Sequence, residues 1–594
     1  MPAPSSDHEL PGRLDALAFQ VKTRAFQIRR MLGELGRRPP RHPCGDTLAH
    51  APVIAEVRSK IWTQLTSEEF PLTAGKVENL RLAARAFHGV EVPAGEVFSF
   101  WRQLGRTTSR RGFTTGRELR EGCLIPAIGG GICQLTGLLH QVALKAGFDI
   151  VERHAHSREV SGSFAAGLDA TVFWNYVDLR FRAIFPWRLE AELDATDLII
   201  RLRAAIPGDV RPTPLPADPA RPMASGDCLT CGQTECFRHP AAISSHGPAL
   251  GHSAFLLDAR WPEFDRWCSG HSRPGDCWFT PIDGHRWNKR HYAWEPPPTA
   301  MVTHSTIPVI LRSLKHRSLS NQGAARQSAL IAADRALAES YASRISPECR
   351  HLVVSLNLLP HLHDLGILGG RTYDVLANRW PLQELQRRLD ESARAHPNSP
   401  TLSDFRADPA LVGSETVALR GVGRCITPHR EMAKTFGAKA WLLEWEGPAI
   451  DPAGPRPVTG RDGALRLFLP CSPLARKGIH ELAAALRNVP AQLWVMGNAG
   501  EGGSNDPLRG IDHRPTTLRD LPSCDALVLP AWIETQPRVA LLALAMGVPV
   551  IATAACGLAP HPLLTVLDRP DPKLLEASIR RLLPQPNTQA VAIG

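Results

Sequence analysis

From about residue 250 to the carboxyl end, short apolar runs alternate with segments whose apolar residues recur at helical spacing. Strands that alternate with helices are joined by crossovers, which pair neighbouring strands in parallel. The pattern therefore predicts an α/β fold with parallel sheets for this half of the chain. The candidate strands are residues 253–258, 351–356, 422–427, 440–444, 465–469, 492–496, 525–529 and 548–552.

The front half lacks this alternation, and a proline-rich stretch separates the two halves. Residues 207–226 contain six prolines and almost no large apolar side chains, which indicates a linker. Before it, helical periodicity and predicted strands at 171–182 and 188–203 indicate an α+β domain over residues 50–206. Residues 1–49 form a predicted helical extension. A chain of 594 residues is too long for one core, so we expect a multidomain protein.

The charge of the chain excludes one class of function and favours others. Lys and Arg number 68 against 58 Asp and Glu, a formal net charge of +10, but no dense basic run is interleaved with aromatic residues. A nucleic-acid reader is therefore not indicated, whereas phosphates, sugar nucleotides and an anionic membrane surface suit the charge. With neither a signal peptide nor an apolar spanning segment in the sequence, we expect a cytoplasmic protein, with peripheral contact at the inner face of the membrane as an option.

Directly after the linker, residues 227–245 hold a compact group of metal-ligand residues. The spacing is C-x2-C-x4-C-x2-H, from Cys228, Cys231, Cys236 and His239. Three thiolates and one imidazole can close a tetrahedron around zinc, and so small a segment would gain order from a metal. The interpretation is a structural zinc knuckle. An iron–sulfur cluster, or thiols without metal, are the alternatives.

A second cysteine follows three consecutive glycines at the predicted start of a helix. Cys133 comes directly after Gly-Gly-Gly-Ile, where the helix dipole favours a thiolate. His156 and Asp169 follow in the same domain, as a base and an orienting group for a nucleophilic thiol. Gln134 or the backbone N–H groups of the loop would bind a developing oxyanion. The alternative is a buried, unreactive cysteine with glycines that serve packing.

Three motifs in this region resemble the VanW family, which is associated with vancomycin-resistance clusters. They are FSFWRQLGRTTSRRGF (98–113), IGGGICQLTGLLHQVALKAGFDIVERHAHS (128–157) and GLDATVFWNYVDLRF (167–181). The resemblance covers roughly residues 50–205 and identifies the domain without assigning its chemistry. Gly137 departs from the pattern, since the family usually has a hydroxyl residue there.

In the carboxyl half, basic residues stand where a strand gives way to a helix. Residues 465–486 comprise a strand, a loop with Arg476 and Lys477, and an amphipathic helix, an arrangement suited to a phosphate. A glycine-rich loop with Gly497 follows the next strand, and Glu534 follows a later one. A doubly wound domain without a ligand would show the same alternation.

These segments resemble the donor-binding domain of group 1, family 4-like glycosyltransferases. The resemblance implies a GT-B fold of two Rossmann-like domains, an acceptor side at 246–450 and a donor side at 451–594. It also implies a nucleotide-sugar donor, with Arg476 and Lys477 on the diphosphate and Glu534 as the first glutamate of an E-x7-E motif. The second glutamate falls on Leu542, which is a departure from the family.

The leading hypothesis is a retaining glycosyltransferase that acts on a cell-envelope or secondary-metabolite acceptor and is fused to the VanW-like domain. A second hypothesis is a thiol enzyme that uses Cys133 on an acyl or peptide bond, with a degenerate sugar-binding module. A third is a non-catalytic scaffold assembled by zinc. The acceptor-side candidates, placed on loops or helix starts after strands, are His361, His363, Asp364 and His429.

Overall fold

A computed structural model describes most of the chain. The described residues are 13–36, 38–63, 69–120, 123–156, 167–206, 251–317, 319, 323–447, 464–497, 500–501 and 506–583. The chain divides into two compact units, the first comprising Met1–His252 with 345–351 and 366–372, and the second comprising the rest. Among the described helices, none combines the length and the apolar character that crossing a bilayer requires. The linker at 207–226 and the predicted zinc knuckle at 227–245 lie outside the described residues.

The first unit mixes helices with antiparallel sheets, as the sequence predicts for an α+β domain. Its helices are α1 (Arg13–Gly33), α2 (Phe70–Phe87), α3 (Phe100–Leu104) and α4 (Ile132–Lys145). Its strands are β1 (Val53–Lys60), β2 (Val90–Val92), β3 (Phe98–Ser99), β4 (Thr115–Arg120), β5 (Cys123–Ile128), β6 (Asp149–Glu152), β7 (Arg180–Arg182), β8 (Trp187–Leu193) and β9 (Asp197–Arg203). The sheets have the orders β1-β9-β8-β2, β3-β7-β6 and β4-β5.

Helices α2 and α4 cover the four-stranded sheet and close the core of this unit. Trp187, Phe87, Phe98 and Phe181 are fully buried there, and their rings pack against one another. Each buried ring of this size contributes about 1.5–3 kcal/mol through the apolar surface it removes from water. The core therefore fixes the start of α4, which carries Cys133.

The structure corrects two strand predictions in this unit. The predicted strand at 188–203 is a hairpin of β8 and β9, because the Asp194 carboxylate accepts the N–H groups of Thr196 and Asp197 and turns the chain. Of the predicted strand at 171–182, only β7 is extended as a strand. Residues before β7 form a tight turn in which Phe173 pairs with Val177.

The second unit contains two parallel sheets, as the alternation of strands and helices predicts. The strands of the first sheet are β10 (His252–Leu256), β11 (Cys277–Thr280), β12 (Met301–His304), β13 (Cys349–Ser355), β14 (Thr372–Leu376), β15 (Cys425–Thr427) and β16 (Ala440–Leu442). The helices among them are α5 (Pro262–His271), α6 (Thr306–Arg317), α7 (Ala324–Ala342), α8 (Leu359–Asp364), α9 (Leu382–Ala395), α10 (Pro409–Arg420) and α11 (Arg430–Phe436). The strand order is β12-β11-β10-β13-β14-β15-β16.

The second sheet has the order β19-β18-β17-β20-β21-β22, and every neighbouring pair is parallel. Its strands are β17 (Leu465–Leu469), β18 (Ala491–Val495), β19 (His513–Pro515), β20 (Ala526–Leu529), β21 (Val550–Thr553) and β22 (Leu564–Leu567). The helices are α12 (Ile479–Leu486), α13 (Arg538–Ala545) and α14 (Pro572–Arg580). The strand order reverses between β17 and β20, so this sheet has a switch point at their carboxyl ends, where open α/β sheets bind ligands.

All eight strands predicted for this half are present, within a few residues of their predicted bounds. The sequence pattern does not predict five further strands, which are β11, β12, β14, β19 and β22. They have only three to five residues each, and β12, β19 and β22 expose part of their length. A short, partly exposed strand has no long apolar run to mark it.

Candidate functional site

The glycine loop before Cys133 is pressed against a neighbouring strand. A Cβ on Gly130 would lie 2.4 Å from the carbonyl carbon of Gly116 in β4, and Gly131 has a φ of 98°. A side chain at Gly130 would overlap β4, and a side chain at Gly131 would be strained at this φ. Glycine at both positions therefore allows the loop to approach β4 closely. Gly131 is the N-cap of α4 and Cys133 is its second residue. The thiol therefore lies at the positive end of a 14-residue helix.

Three side chains predicted to act together are in contact. Asp169 Oδ2 accepts hydrogen bonds from His156 Nδ1 at 3.0 Å and from the His156 backbone N–H at 2.7 Å. The imidazole and the Cys133 sulfur are close enough for each to shift the pKa of the other. The thiol is half-buried and also lies 3.8 Å from the Thr171 hydroxyl. The three residues predicted as nucleophile, base and orienting group thus lie close together.

The pKa values of Cys133, His156 and Asp169 each shift in the direction that favours the charged form of the group. Burial raises the pKa of Cys133, but the hydrogen bond and charge of His156 outweigh it and hold that pKa below its ordinary value. Burial lowers the pKa of His156, yet its bonds to Asp169 and Cys133 raise it to about 9. Burial raises the pKa of Asp169, while His156 and Arg153 bring it down to about 2. These directions favour a thiolate beside an imidazolium.

Arg153 holds the far oxygen of the orienting carboxylate. Its Nη2 donates to Asp169 Oδ1 at 2.9 Å, and its Nε donates to the Asp169 backbone carbonyl at 2.9 Å. The carboxylate is therefore bound on both oxygens, and its rotation is restricted. Arg153 is not among the residues predicted from the sequence, although its position three residues before His156 is a usable signal.

Gln134 is not placed to bind an oxyanion. Its side-chain amide donates to Ser59 Oγ at 2.8 Å and to the Lys60 carbonyl at 2.7 Å, so both amide hydrogens are engaged by β1. The backbone N–H groups at the start of α4 are the remaining donors, since the first N–H groups of a helix have no acceptor within the helix. The prediction that named Gln134 first is wrong for this reason.

The second candidate site lies at the switch point of the second sheet in the carboxyl half. Lys477 is in the loop after β17, and Glu534 is in the loop after β20. Lys477 Nζ lies 2.8 Å from Glu534 Oε2 and also donates to the Ile533 carbonyl at 3.1 Å. Glu534 Oε1 accepts the N–H groups of Thr535 and Gln536. Two residues predicted for a donor site thus form a partly buried ion pair at the edge of the sheet where open α/β sheets bind ligands.

The environment strengthens the charges of this pair. Burial raises the pKa of Glu534, but Lys477 and the two backbone N–H groups bring it down to about 2. Burial lowers the pKa of Lys477, but the negative charge of Glu534 raises it by more, so the pKa lies above its ordinary value. Arg476 contributes the other cation, with its guanidinium 4.2 Å from the centre of the Phe405 ring. Burial lowers the pKa of Arg476, so the mutual stabilisation of charge is confined to Lys477 and Glu534.

Two glycines let the loops of this site approach one another. A Cβ on Gly478 would lie 1.9 Å from the Pro530 carbonyl oxygen, and one on Gly497 would lie 2.7 Å from Ser472 Oγ. Gly497 is therefore required for packing against the loop after β17, in addition to its predicted place beside the donor. Leu542, which stands where the second glutamate of the motif is expected, is half-buried in α13.

The predicted acceptor-side residues have different environments. His429 is fully buried at the start of α11: its Nδ1 accepts the Met432 N–H, and its Nε2 lies 3.2 Å from the carbonyl oxygens of Glu534 and Ala555. Burial lowers its pKa to about 4, so His429 is neutral and supports the Glu534 loop. An acceptor would not reach this side chain, and we correct its role from acceptor contact to positioning.

His361 is also buried, and burial lowers its pKa to about 4. His363 and Asp364 are partly exposed on α8, and their side chains lie 3.6 Å apart. These three residues follow β13, which places them after the carboxyl end of a central strand. Their role at an acceptor stays a prediction.

The metal prediction is not tested by this structure. Cys228, Cys231, Cys236 and His239 lie outside the described residues. Within the described ranges, no group of three or more His, Cys, Asp or Glu side chains is arranged to hold a metal ion.

Comparisons with known proteins agree with the predicted resemblances. A family model described as VanW like protein matches residues 75–203. An uncharacterized protein of Bacillus subtilis, YoaR, is 28% identical over 218 residues, which is 36% of this chain and 71% of YoaR. The vancomycin B-type resistance protein VanW of Enterococcus faecalis is 30% identical over 134 residues, 22% of this chain and 49% of that protein.

Solved structures similar to 56% of the chain include a sucrose-phosphate synthase from Thermosynechococcus elongatus, at 15% identity, 90% coverage of that chain and a TM-score of 0.34. They also include the lipopolysaccharide outer core galactosyltransferase WaaB, at 13% identity, 90% coverage of that chain and a TM-score of 0.32. Scores of this size describe a partial likeness, and the two parallel sheets are established by the strand pairing of this chain itself. Residues 75–203, which contain Cys133, His156 and Asp169, are a VanW-like domain.

Proposed function

We propose that the VanW-like domain is a thiol-dependent enzyme that transfers or hydrolyses an acyl group at Cys133. The observation that supports this most directly is the hydrogen bond between Asp169 and His156, whose imidazole interacts with the Cys133 thiol at the start of α4. A structural cysteine has no need of a buried imidazole with a raised pKa and an orienting carboxylate. The substrate class is an acyl or peptide bond.

In the proposed reaction, the Cys133 thiolate attacks the acyl carbonyl carbon and forms a C–S bond. The carbonyl π electrons move to oxygen, where the N–H groups at the start of α4 stabilise the negative charge. Collapse of this intermediate expels the leaving amine or alcohol, which takes a proton from His156. Water or a second amine then attacks the thioester and gives its proton to His156, and the thiolate is released with the imidazolium restored.

Alkylation by iodoacetamide tests the state of the thiol. At pH 6 we expect Cys133 to react at least about ten times faster than the exposed Cys44, because His156 lowers the pKa of Cys133 and so increases its thiolate fraction. Digestion and mass spectrometry of the full chain give the rate at each cysteine. His156→Ala should remove the difference, whereas His154→Ala, which alters an exposed histidine two residues away, should leave it. Equal rates at Cys133 and Cys44 would refute the proposal.

The second unit supports a second function, glycosyl transfer from a nucleotide-sugar donor to a cell-envelope or secondary-metabolite acceptor. The observation that favours it is the Lys477 and Glu534 pair at the switch point between β17 and β20, with Arg476 beside it. Two cations at the start of a helix suit a diphosphate, and Glu534 suits sugar hydroxyls. Leu542 cannot accept ribose hydroxyls, so the nucleoside would be held differently from the family pattern.

Thermal unfolding with a panel of nucleotide sugars tests this second function. A donor at 100 times its Kd stabilises the folded protein by about 2.7 kcal/mol, which raises the Tm by a few degrees. Lys477→Met should abolish the rise, because the diphosphate loses its partner. Lys434→Met is the matched control, since Lys434 is an exposed lysine of the same unit. If no donor raises the Tm of the wild-type protein, the donor site is absent.

Two further predictions complete the proposal. A structural zinc held by Cys228, Cys231, Cys236 and His239 would appear as one metal equivalent in the purified protein, and Cys231→Ser would lose it.

Peripheral contact with an anionic membrane accords with the net positive charge of the chain. It would appear as sedimentation of the protein with anionic but not neutral vesicles.

A further inference from the structure

Helix α1 turns its polar side towards the rest of the first unit. Gln27 Nε2 donates to the Trp174 carbonyl at 2.6 Å. Arg30 forms an ion pair with Glu152 at 2.6 Å, and Glu34, directly after the helix, lies on the same side. A helix on the surface of a globular domain ordinarily turns its apolar side inwards. The contacts of α1 with the protein are therefore the reverse of the usual arrangement.

The side of α1 turned away from these contacts carries an exposed apolar stripe. It consists of Val21, Ile28, Leu32 and Leu35, whose side chains are 53–72% exposed. Their separations of seven, four and three positions place them on one side of a helix. Contiguous exposed apolar surface of this kind marks a contact with a partner.

Basic side chains border the apolar stripe on both edges. Lys22 and Arg29 each follow a stripe residue by one position and so lie about 100° around the helix from it. Arg24 lies on the other edge, four positions before Ile28. All three basic residues are exposed, and residues 21–33 contain no acidic residue. The surface of α1 is thus apolar in the middle and positive at its edges.

This pattern is complementary to an anionic bilayer. Acyl chains accept the apolar side chains, and negative headgroups accept the cations that border them. A second copy of the same helix fits less well, because two copies would bring like charges together across the contact. The charge pattern therefore favours a lipid surface over a second copy of the chain.

We infer that α1 is the element that binds this protein to an anionic lipid surface, with the apolar stripe inserted at the level of the headgroups. The inference rests on the peripheral membrane contact proposed above and assigns that contact to one helix. The contacts of Gln27 and Arg30 attach α1 to segments of the VanW-like domain. That domain is consequently the part of the protein held at the membrane.

Sedimentation of the full chain with vesicles tests the apolar part of this assignment. Vesicles of phosphatidylglycerol and phosphatidylcholine supply the anionic surface, and vesicles of phosphatidylcholine alone supply the neutral one. Ile28→Ser should lower partition onto the anionic vesicles by about tenfold, because one large apolar side chain no longer leaves water. Ile184→Ser is the matched control, since Ile184 is a 79% exposed isoleucine of the same unit outside α1, and its partition should equal that of the wild type.

A charge variant tests the basic edges of the stripe. Arg29→Gln should lower partition onto the anionic vesicles by about fivefold at low salt. The difference should largely disappear at 1 M salt, where the Debye length is about 3 Å. Arg182→Gln, at an exposed arginine outside α1, removes the same net charge and should have little effect. Because Ile28 and Arg29 are exposed, both variants should unfold at the wild-type Tm.

The outcomes separate this inference from the proposed membrane contact. If wild-type protein binds anionic vesicles and Ile28→Ser and Arg29→Gln bind equally well, the membrane contact stands and α1 is rejected as its element. If wild-type protein binds neither kind of vesicle, both proposals fail. Equal partition onto neutral vesicles would reject the role of the basic edges. A wild-type dimer in light scattering that Ile28→Ser converts to a monomer would show that a second copy covers the stripe, and it would also overturn the inference.

Discussion

At the scale of single residues, the reactivity expected of Cys133 depends on groups far from it in the chain. His156 comes 23 positions later and Asp169 another 13. The cysteine alone would be an ordinary half-buried thiol, because burial by itself raises its pKa. The positive imidazole reverses that effect, and the negative carboxylate keeps the imidazole positive. Asp169 therefore acts on Cys133 through the charge of His156.

Replacing the orienting carboxylate tests this dependence. We expect Asp169→Asn to lower the pKa of His156 towards its ordinary value and to raise that of Cys133, because the negative charge beside the imidazole is lost. Alkylation of Cys133 by iodoacetamide should slow by about tenfold at pH 6, since each pKa unit corresponds to a factor of ten in thiolate. The difference should shrink towards pH 9, where ordinary thiols ionise. Asp149→Asn, at an exposed carboxylate, is the control, and an unchanged pH profile in Asp169→Asn would contradict the prediction.

Gly131 offers a second test at this scale. Gly131→Ala should lower the free energy of unfolding by about 2–4 kcal/mol, because a methyl group would overlap the Lys76 side chain at a backbone angle of 98°. Gly95→Ala has a similar positive φ of 78° but open space around the new methyl group. It should lose only about 1–2 kcal/mol. Urea denaturation measures both, and equal losses would show that the contact with Lys76 is unimportant.

At the scale of elements, the order of strands brings the second site together. Lys477 and Glu534 are 57 residues apart in sequence, yet β17 and β20 are neighbours in the sheet. Their following loops therefore emerge side by side at one edge. The close approach depends on Gly478, whose φ of 76° turns the chain into α12 beside Pro530.

A methyl group at Gly478 should separate the two loops. Gly478→Ala would place Cβ 1.9 Å from the Pro530 carbonyl oxygen, so the loop after β17 must move and carry Lys477 away from Glu534. We expect loss of the Tm increase produced by a nucleotide sugar and a lower free energy of unfolding. Gly510→Ala, at a φ of 81° in open space, shares the backbone strain without the overlap. Retention of the full donor-induced shift in Gly478→Ala would contradict the expectation.

At the scale of the whole molecule, each unit has its own hydrophobic core and its own candidate site. Each also contains a carboxylate whose pKa is held near 2, Asp169 in the first unit and Glu534 in the second. The charged forms of both carboxylates are stabilised by partners that contact them only in the folded chain. Acid should therefore weaken both units by the same physical cause.

The dependence on pH follows from the sign of these shifts. A carboxyl whose pKa is lower in the folded state stabilises that state fully above its unfolded pKa of about 4, and the contribution is lost as the pH falls towards 2. Each of the two groups corresponds to an upper limit of about 2–3 kcal/mol. We expect the urea midpoint of the wild-type protein to fall steeply between pH 4 and pH 2. Asp169→Asn with Glu534→Gln should make this fall shallower, and an equal slope would contradict the linkage.

Several features could be predicted because their signal is local in the chain. Eight strands of the second unit, helix α1 and the α+β character of the first unit all follow from apolar periodicity. The grouping of Cys133, His156 and Asp169 was expected from residue chemistry; the Asp169 carboxylate contacts His156, and the role of the three residues stays a prediction. The burial of His429 could not be foreseen, because a histidine at a helix start has the same local sequence whether it faces solvent or a packed loop.

The sequence by itself determined the elements and the chemical types available, because hydrophobic spacing and residue identity are properties of the chain alone. Only the tertiary structure decided which of these groups meet. Thr63, Lys76 and Arg117 lie on separate elements, and no spacing rule connects them. Their convergence depends on α2 and β4 packing against one glycine loop. Burial there lowers the pKa of a lysine that would be solvated on a free helix, because its charged form loses contact with water.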